Sequence, residues 1–171
     1  MKVCITGGIA SGKSLLSHYL NELGVATIDA DDIVHKIIPQ SERERLKKIV
    51  FNNPSVRKEL EERVHPLVRK AIEEAMSGEN PPIAIIPLLF EVHWEKDYDI
   101  IVTILSSREK QIERMISSRG YTREEAEARI AAQMDPAIKA ERSDYVILND
   151  STDDNLQAEA VKLIKYLASR S

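Results

Sequence analysis

Gly7-Gly8-Ile9-Ala10-Ser11-Gly12-Lys13-Ser14 follows the apolar run Val3-Cys4-Ile5-Thr6 and opens a stretch of helical periodicity. It fits G-x-x-x-x-G-K-[S/T] without a gap, between a predicted strand and a predicted helix, which is the context that gives the pattern its meaning. Glycines there let backbone N–H groups turn inward around phosphate oxygens, and the helix N-terminus adds a favourable dipole. Gly8, Ile9, Ala10, Ser11 and Gly12 are thus candidate phosphate-cradling residues. Lys13 is expected to reach the β- and γ-phosphates as a point charge, and the Ser14 hydroxyl to ligate Mg²⁺. The stretch predicts a nucleoside triphosphate site.

Outward from this loop, strand and helix alternate, the pattern of an α/β domain with a parallel sheet. Strands are expected at 2–6, 26–28, 83–86, 100–105 and 145–148. The helix after the loop carries Leu15, Leu16, Tyr19, Leu20 and Leu23 on one face, with Gly24 placed to stop it. Ser106 with Glu109, Thr122 with Glu125, and Ser151 with Asp154 have capping-box spacing. Asn53-Pro54 reads as an N-cap followed by proline at the first helical position. A last helix would dock through Leu156, Ala160, Val161, Ile164 and Leu167. Residues 39–78 and 106–142 interrupt the alternation as helical insertions, the second rich in arginine. The expected organisation is one domain over 1–171, with a core of 1–38, 79–105 and 143–171.

The charge pattern narrows the function. Twenty-four Lys and Arg stand against 28 Asp and Glu, a net charge of −4, which argues against general nucleic-acid binding. The longest apolar stretch, 81–92, is broken by prolines and a glutamate and falls short of a membrane span. The N-terminus has no signal-peptide anatomy, and one cysteine, Cys4, makes no internal disulfide, so a cytoplasmic protein is expected.

Ile28-Asp29-Ala30-Asp31-Asp32 places carboxylates beyond the carboxyl end of the second strand, expected beside the first, where open parallel sheets bind ligands. Asp29 and Asp32 read as caps or solvated groups. Asp31 reads either as a helix cap or as the base that takes the proton of an attacking hydroxyl. Pro66, after His65, is expected to kink or restart its helix. In Pro87-Leu88-Leu89-Phe90-Glu91, Leu89 reads as core, while Leu88 and Phe90 suit either core or an acceptor pocket. Of Arg108, Arg114, Arg119, Arg123 and Arg129, we expect Arg114 and Arg119 to supply cations over a transferring phosphoryl group. Arg123 with Glu127 reads as a solvated pair. Asn149 stands in a turn after the last strand, and Trp94 reads as a packing residue.

These pieces, in this order, resemble the dephospho-CoA kinase family. The likeness is carried by the loop from Thr6 to Ser14, Ile28 to Asp31, Val50-Phe51, His65-Pro66-Leu67 and Pro87 to Glu91. It continues through Gln111 to Arg114, Arg119, Thr122-Arg123, Arg129 to Gln133, and Asp144 to Asn149. The resemblance implies a P-loop NTPase fold of three α/β/α layers with a five-stranded parallel sheet. The insertion at 39–78 would be a CoA-binding region and that at 106–142 a lid. It implies transfer of the ATP γ-phosphoryl group, with Mg²⁺, to the ribose 3′-hydroxyl of dephospho-CoA, Asp31 acting as base. Thr6, Asp31, His65, Leu88 and Phe90 would meet the acceptor, while Leu15 and Asn149 would stand at the nucleotide. Two departures are visible. Ala10 and Leu15 replace a glycine and a threonine, and the stretch between Ile38 and Ser41 is shortened, which makes the CoA region small. The rival within the class is a nucleoside monophosphate or shikimate kinase. A GTPase switch lacks its Asn-Lys-x-Asp here, and an inactive nucleotide-binding module is the third reading.

Overall fold

Runs of β-branched and aliphatic residues make β1 (Val3–Gly7), β2 (Thr27–Asp29), β3 (Ile83–Ile85), β4 (Ile100–Leu105) and β5 (Tyr145–Leu148). The computed structural model describes residues 1–38, 42, 53–150 and 153–170. Its helices are α1 (Lys13–Glu22), α2 (Ala30–Ile37), α3 (Pro54–Ala75), α4 (Arg108–Arg119), α5 (Arg123–Ala131), α6 (Pro136–Glu141) and α7 (Asp153–Ala168). The strand order is β2-β3-β1-β4-β5, so the expectation that β2 lies beside β1 is corrected: the apolar β3 takes that place between them. β1 pairs in parallel with both β3 and β4, and β4 with β5. The loop after β1 therefore leaves the carboxyl edge from the middle of the sheet.

Two compact units emerge, one of Met1–Thr27 with Pro82–Ser171 and one of Ile28–Pro81. In the first, side chains alternate across the sheet as strand geometry dictates. Val3, Ile5, Val102, Ile104 and Ile147 form one cluster with Leu16 and Leu20 of α1 and Leu156, Ala160 and Leu163 of α7. Each fully buried leucine contributes roughly 1.5–3 kcal/mol. Cys4, Thr6 and Thr103 alternate to the other face, where α6 packs on β1 and β4. That gives the three layers. In the second unit α2 packs on α3, with Ile33, Val64, Val68 and Ile72 buried.

Several local expectations shift. Val161 is exposed and Leu163 takes its place in the core, because α7 presents the 156–160–163 stripe to α1. Leu23 is exposed and serves as C-cap ahead of Gly24. Ser107 caps α4 rather than Ser106, whose hydroxyl bonds elsewhere. Thr122 and Glu125 form the full capping box, and Asn53 caps α3 by accepting from Ser55 N and Val56 N. That helix continues through Pro66 without a restart; proline removes one hydrogen bond, and buried Val64, Val68 and Ile72 hold both sides. The shortening between Ile38 and Ser41, Val50-Phe51 and the Ser151 cap lie outside the described residues.

Candidate active site

Two glycines shape the loop. A Cβ on Gly7 (φ 151°) would lie 2.4 Å from the Ile104 carbonyl oxygen, and one on Gly12 (φ 106°) 2.1 Å from Asn149 Nδ2. Neither position admits another residue without rebuilding the loop. Lys13 folds back over it, its ammonium donating to Gly7 O at 2.9 Å and Gly8 O at 2.8 Å. Ser14 is exposed in the first turn of α1, while Leu15 is half-buried against the sheet core. The buried Ser11 hydroxyl has no hydrogen-bond partner among the described residues.

Ala10 adopts a left-handed conformation, φ 55°. Its methyl and Ile9 pack against a cluster of Ile112, Met115 and Ala126 from α4 and α5. Left-handed alanine costs roughly 1 kcal/mol, while a buried methyl contributes about 0.8 kcal/mol. Ala10→Gly is therefore expected to leave Tm within about 2 °C, whereas a shift beyond about 4 °C in thermal melts would mean one effect dominates.

Arginine and asparagine side chains bond the loop backbone. Arg114 donates to Ala10 O at 3.2 Å, Ser106 Oγ at 2.7 Å and Asn149 O at 2.9 Å. Its guanidinium is thus engaged with backbone and hydroxyl oxygens beside the loop. Asn149 is 5% exposed, and its amide donates to Ser11 O at 2.8 Å. Arg119, the last residue of α4, is exposed beside Gly120 and makes no ion pair among the described residues. Arg123 pairs with Glu109 and, at 3.6 Å, with Glu127 on the surface. Its guanidinium holds the Glu109 carboxyl below the usual range. Arg129 lies 4.5 Å over the Tyr121 ring.

Two of the candidate acceptor contacts are buried. Thr6 is fully buried and donates its hydroxyl to Pro87 O at 3.2 Å. Phe90 is also fully buried, under the Arg142 guanidinium at 4.4 Å. Leu88 is half-buried. In the second unit, Asp29 caps α2 by accepting from Asp31 N at 2.8 Å, which leaves Asp31 exposed in the first turn and not itself the cap. His65 is half-buried on α3 beside exposed Pro66 and Leu67.

Sequence reasoning missed four side chains. Gln111 and Gln133 both bond Ile9, from α4 and from the turn after α5. Lys139 is fully buried, with its ammonium 2.9 Å from Pro87 O and 2.8 Å from Glu91 Oε1. Glu91 also accepts from Met134 N at 3.1 Å, tying the lid base to the turn after β3. The one available signal was a lysine among the small apolar residues of Pro136–Glu141. Removing one partner of such a buried pair costs about 3–5 kcal/mol, whereas replacing both is far milder. Lys139→Met is thus expected to lower Tm by roughly 10 °C, with most of the loss recovered by adding Glu91→Met.

A cavity of about 380 Å³ opens beside the loop, lined by Ser106, Arg108, Gln111, Ile130, Gln133 and Asp135 among others. A larger one of about 710 Å³ borders Met1 and Ile100, at the opposite ends of β1 and β4 from the loop. The smaller cavity adjoins the loop through Gln111 and Gln133, which both bond Ile9.

A five-stranded parallel sheet with helices on both faces, and a Gly-x-x-x-x-Gly-Lys-Ser loop joining its middle strand to a helix, define the fold of the P-loop kinases. A family model for dephospho-CoA kinase matches residues 1–44 and 39–155. The chain belongs to the dephospho-CoA kinase family. It is 34% identical over 192 positions to the dephospho-CoA kinase of Geobacillus kaustophilus, covering 96% of each chain. It is 37% identical over 182 positions to that of Symbiobacterium thermophilum, covering 91% of this chain and 76% of the relative. The solved dephospho-CoA kinase from Campylobacter jejuni superposes with a TM-score of 0.73 at 29% identity, covering 99% of this chain and 98% of that one. A shikimate kinase from Bacteroides thetaiotaomicron reaches 0.67 at 16% identity, a likeness of fold.

Proposed function

We propose that the chain transfers the γ-phosphoryl group of ATP to the ribose 3′-hydroxyl of dephospho-CoA, the last step of coenzyme A synthesis. The observation that carries this reading is family membership across nearly the whole chain. In it, the amides of the 8–14 loop receive the phosphates and Lys13 meets the β- and γ-oxygens. The exposed Ser14 hydroxyl in the first turn of α1 suits a magnesium ligand. In this reading the magnesium ion arrives with the phosphates and keeps several waters. When bound, Mg²⁺ would neutralise charge on the β- and γ-oxygens. Asp31 orients the 3′-hydroxyl and takes its proton.

Arg119 is the exposed lid cation that stabilises the transferring group, while Arg114 and Asn149 act through the loop backbone they hold. Leu88 and His65 are assigned to the acceptor side. The reading divides the chain into a core of 1–38, 79–105 and 143–171, a reduced CoA region of 39–78 and a lid of 106–142. The observed compact unit begins earlier, at Ile28, because α2 packs with α3. Two facts favour the reduction. The alignment to the Geobacillus relative runs over 192 positions although this chain has 171 residues. The family match also breaks into two segments that meet at 39–44. The reading includes a cytoplasmic location, where a lone thiol stays reduced.

A coupled assay with ATP·Mg²⁺ tests the reading. Dephospho-CoA should be phosphorylated, with AMP and shikimate inert as controls. Turnover of either control in its place would reassign the acceptor, and turnover of none would leave a nucleotide-binding module.

A further inference from the structure

We propose that Gln111 and Gln133 are positioning residues that set the phosphate loop before nucleotide arrives, by gripping Ile9 on both of its backbone polar groups. The inference rests on the loop being the nucleotide site proposed above. Gln111 Nε2 donates to Ile9 O at 2.6 Å, and Ile9 N–H donates to Gln133 Oε1 at 2.7 Å. The peptides on either side of Ile9 are therefore both fixed, each by a different lid element. The next residue is Ala10 at φ 55°, a conformation that alanine abandons unless its surroundings impose it.

Packing shows that the grip is built in. Gln111 is 2% exposed, so its bond to Ile9 meets little competition from water. A Cβ on Gly8 would lie 2.6 Å from Gln111 Nε2; glycine at that position is what lets the amide reach the loop. The Ile9 side chain and the Ala10 methyl rest on Ile112, Met115 and Ala126 of the same lid helices. Polar and apolar contacts thus bind one loop segment to α4 and α5, so this part of the lid and the phosphate loop move as one body.

The roles of the two amides are not interchangeable. Gln111 must donate to a carbonyl, which a carboxylate cannot do. Gln133 must accept from an N–H, which a carboxylate does well. Misplacing a phosphate-binding group by about 1 Å can cost on the order of a hundredfold in rate.

The test reads the Ile9 amide directly by hydrogen exchange, alongside kcat, the KM for ATP and Tm. Gln133→Met should speed Ile9 exchange at least about tenfold and lower kcat about tenfold or more, with Tm within about 2 °C. Gln133→Glu should restore protection of Ile9. Gln111→Glu, which sets a carboxylate against the Ile9 carbonyl, should lose kcat about tenfold or more, and Gln111→Met serves if that variant fails to fold. Because both side chains act on one residue, the double Met variant should lose little beyond the worse single one. Ile9 exchange and kcat within about twofold of the parent in Gln133→Met would overturn the proposal, as would double-variant losses that simply multiply. If the parent protein does not phosphorylate dephospho-CoA, the functional reading fails while Ile9 exchange still decides the grip.

Discussion

Lys13→Ala is expected to lower kcat for dephospho-CoA phosphorylation by about 10²–10³-fold, the loss that follows removal of one preorganised donor from a developing charge. The structure gives the substitution a second consequence. The Lys13 ammonium donates to Gly7 O and Gly8 O at 2.9 and 2.8 Å, so alanine also frees two carbonyls that the lysine holds inside the loop. Hydrogen bonds to a charged group contribute roughly 1.5–3 kcal/mol, and a Tm loss of several degrees should therefore accompany the loss of turnover. ATP, which raises the melting temperature of the parent protein by binding its native state, should raise that of the variant much less. A steady-state assay and a thermal-shift series measure both. Unchanged kcat would remove the loop from the chemistry.

Asp31→Asn carries the second large effect and separates proton transfer from helix capping. Asp29 is the residue that caps α2, through its carboxylate and the Asp31 N–H at 2.8 Å. The Asp31 carboxylate is exposed in the first helical turn, and asparagine there disturbs no cap. Tm should move by no more than about 2 °C and ATP affinity should hold. A sugar hydroxyl is a poor nucleophile at neutral pH, and a general base contributes about 10²–10⁴-fold; kcat should fall by that factor. Asp29→Asn, still able to cap, should be much milder. If Asp31→Asn keeps more than half of the activity, the base must be sought on another residue.

The phosphate loop was legible because all its information is local: strand, turn and helix lie within residues 3–22. The positions of the strands along the chain followed from apolar runs, and Thr122 and Asn53 announced their helices by spacing alone, but the sheet order did not follow, since β3 and not β2 stands beside β1. The lid's grip on the loop was not legible. Gln111, Arg114 and Gln133 bond residues more than a hundred positions away in sequence, and no period or cap within a helix records a partner so distant. Arg114 illustrates the limit. Charge on a helix near a phosphate loop suits contact with a phosphate or with a carbonyl, and only the fold distinguishes them. The burial of Thr6 and Phe90 was not legible for a related reason, since residues at the end of a buried strand have the same composition whether they face a ligand or a neighbouring helix. Lys139 was overlooked because a lysine is ordinarily a surface residue, and its burial depends on Glu91 and the Pro87 carbonyl, which come from the turn after β3.

Cys4 lies in β1, the middle strand of the sheet, with no exposed surface, and burial pushes its thiol well above the ordinary range. As the sole cysteine of the chain, it makes the native protein inert to maleimides and disulfide reagents. A cysteine introduced on the lid surface, at Ser117 for example, would therefore be the single labelling site for a fluorophore, without any background to remove. The native thiol has a complementary use. Its reaction waits on global opening of the sheet, so the rate of modification by a thiol reagent is a clock for unfolding that needs no dye, no denaturant and no mutation.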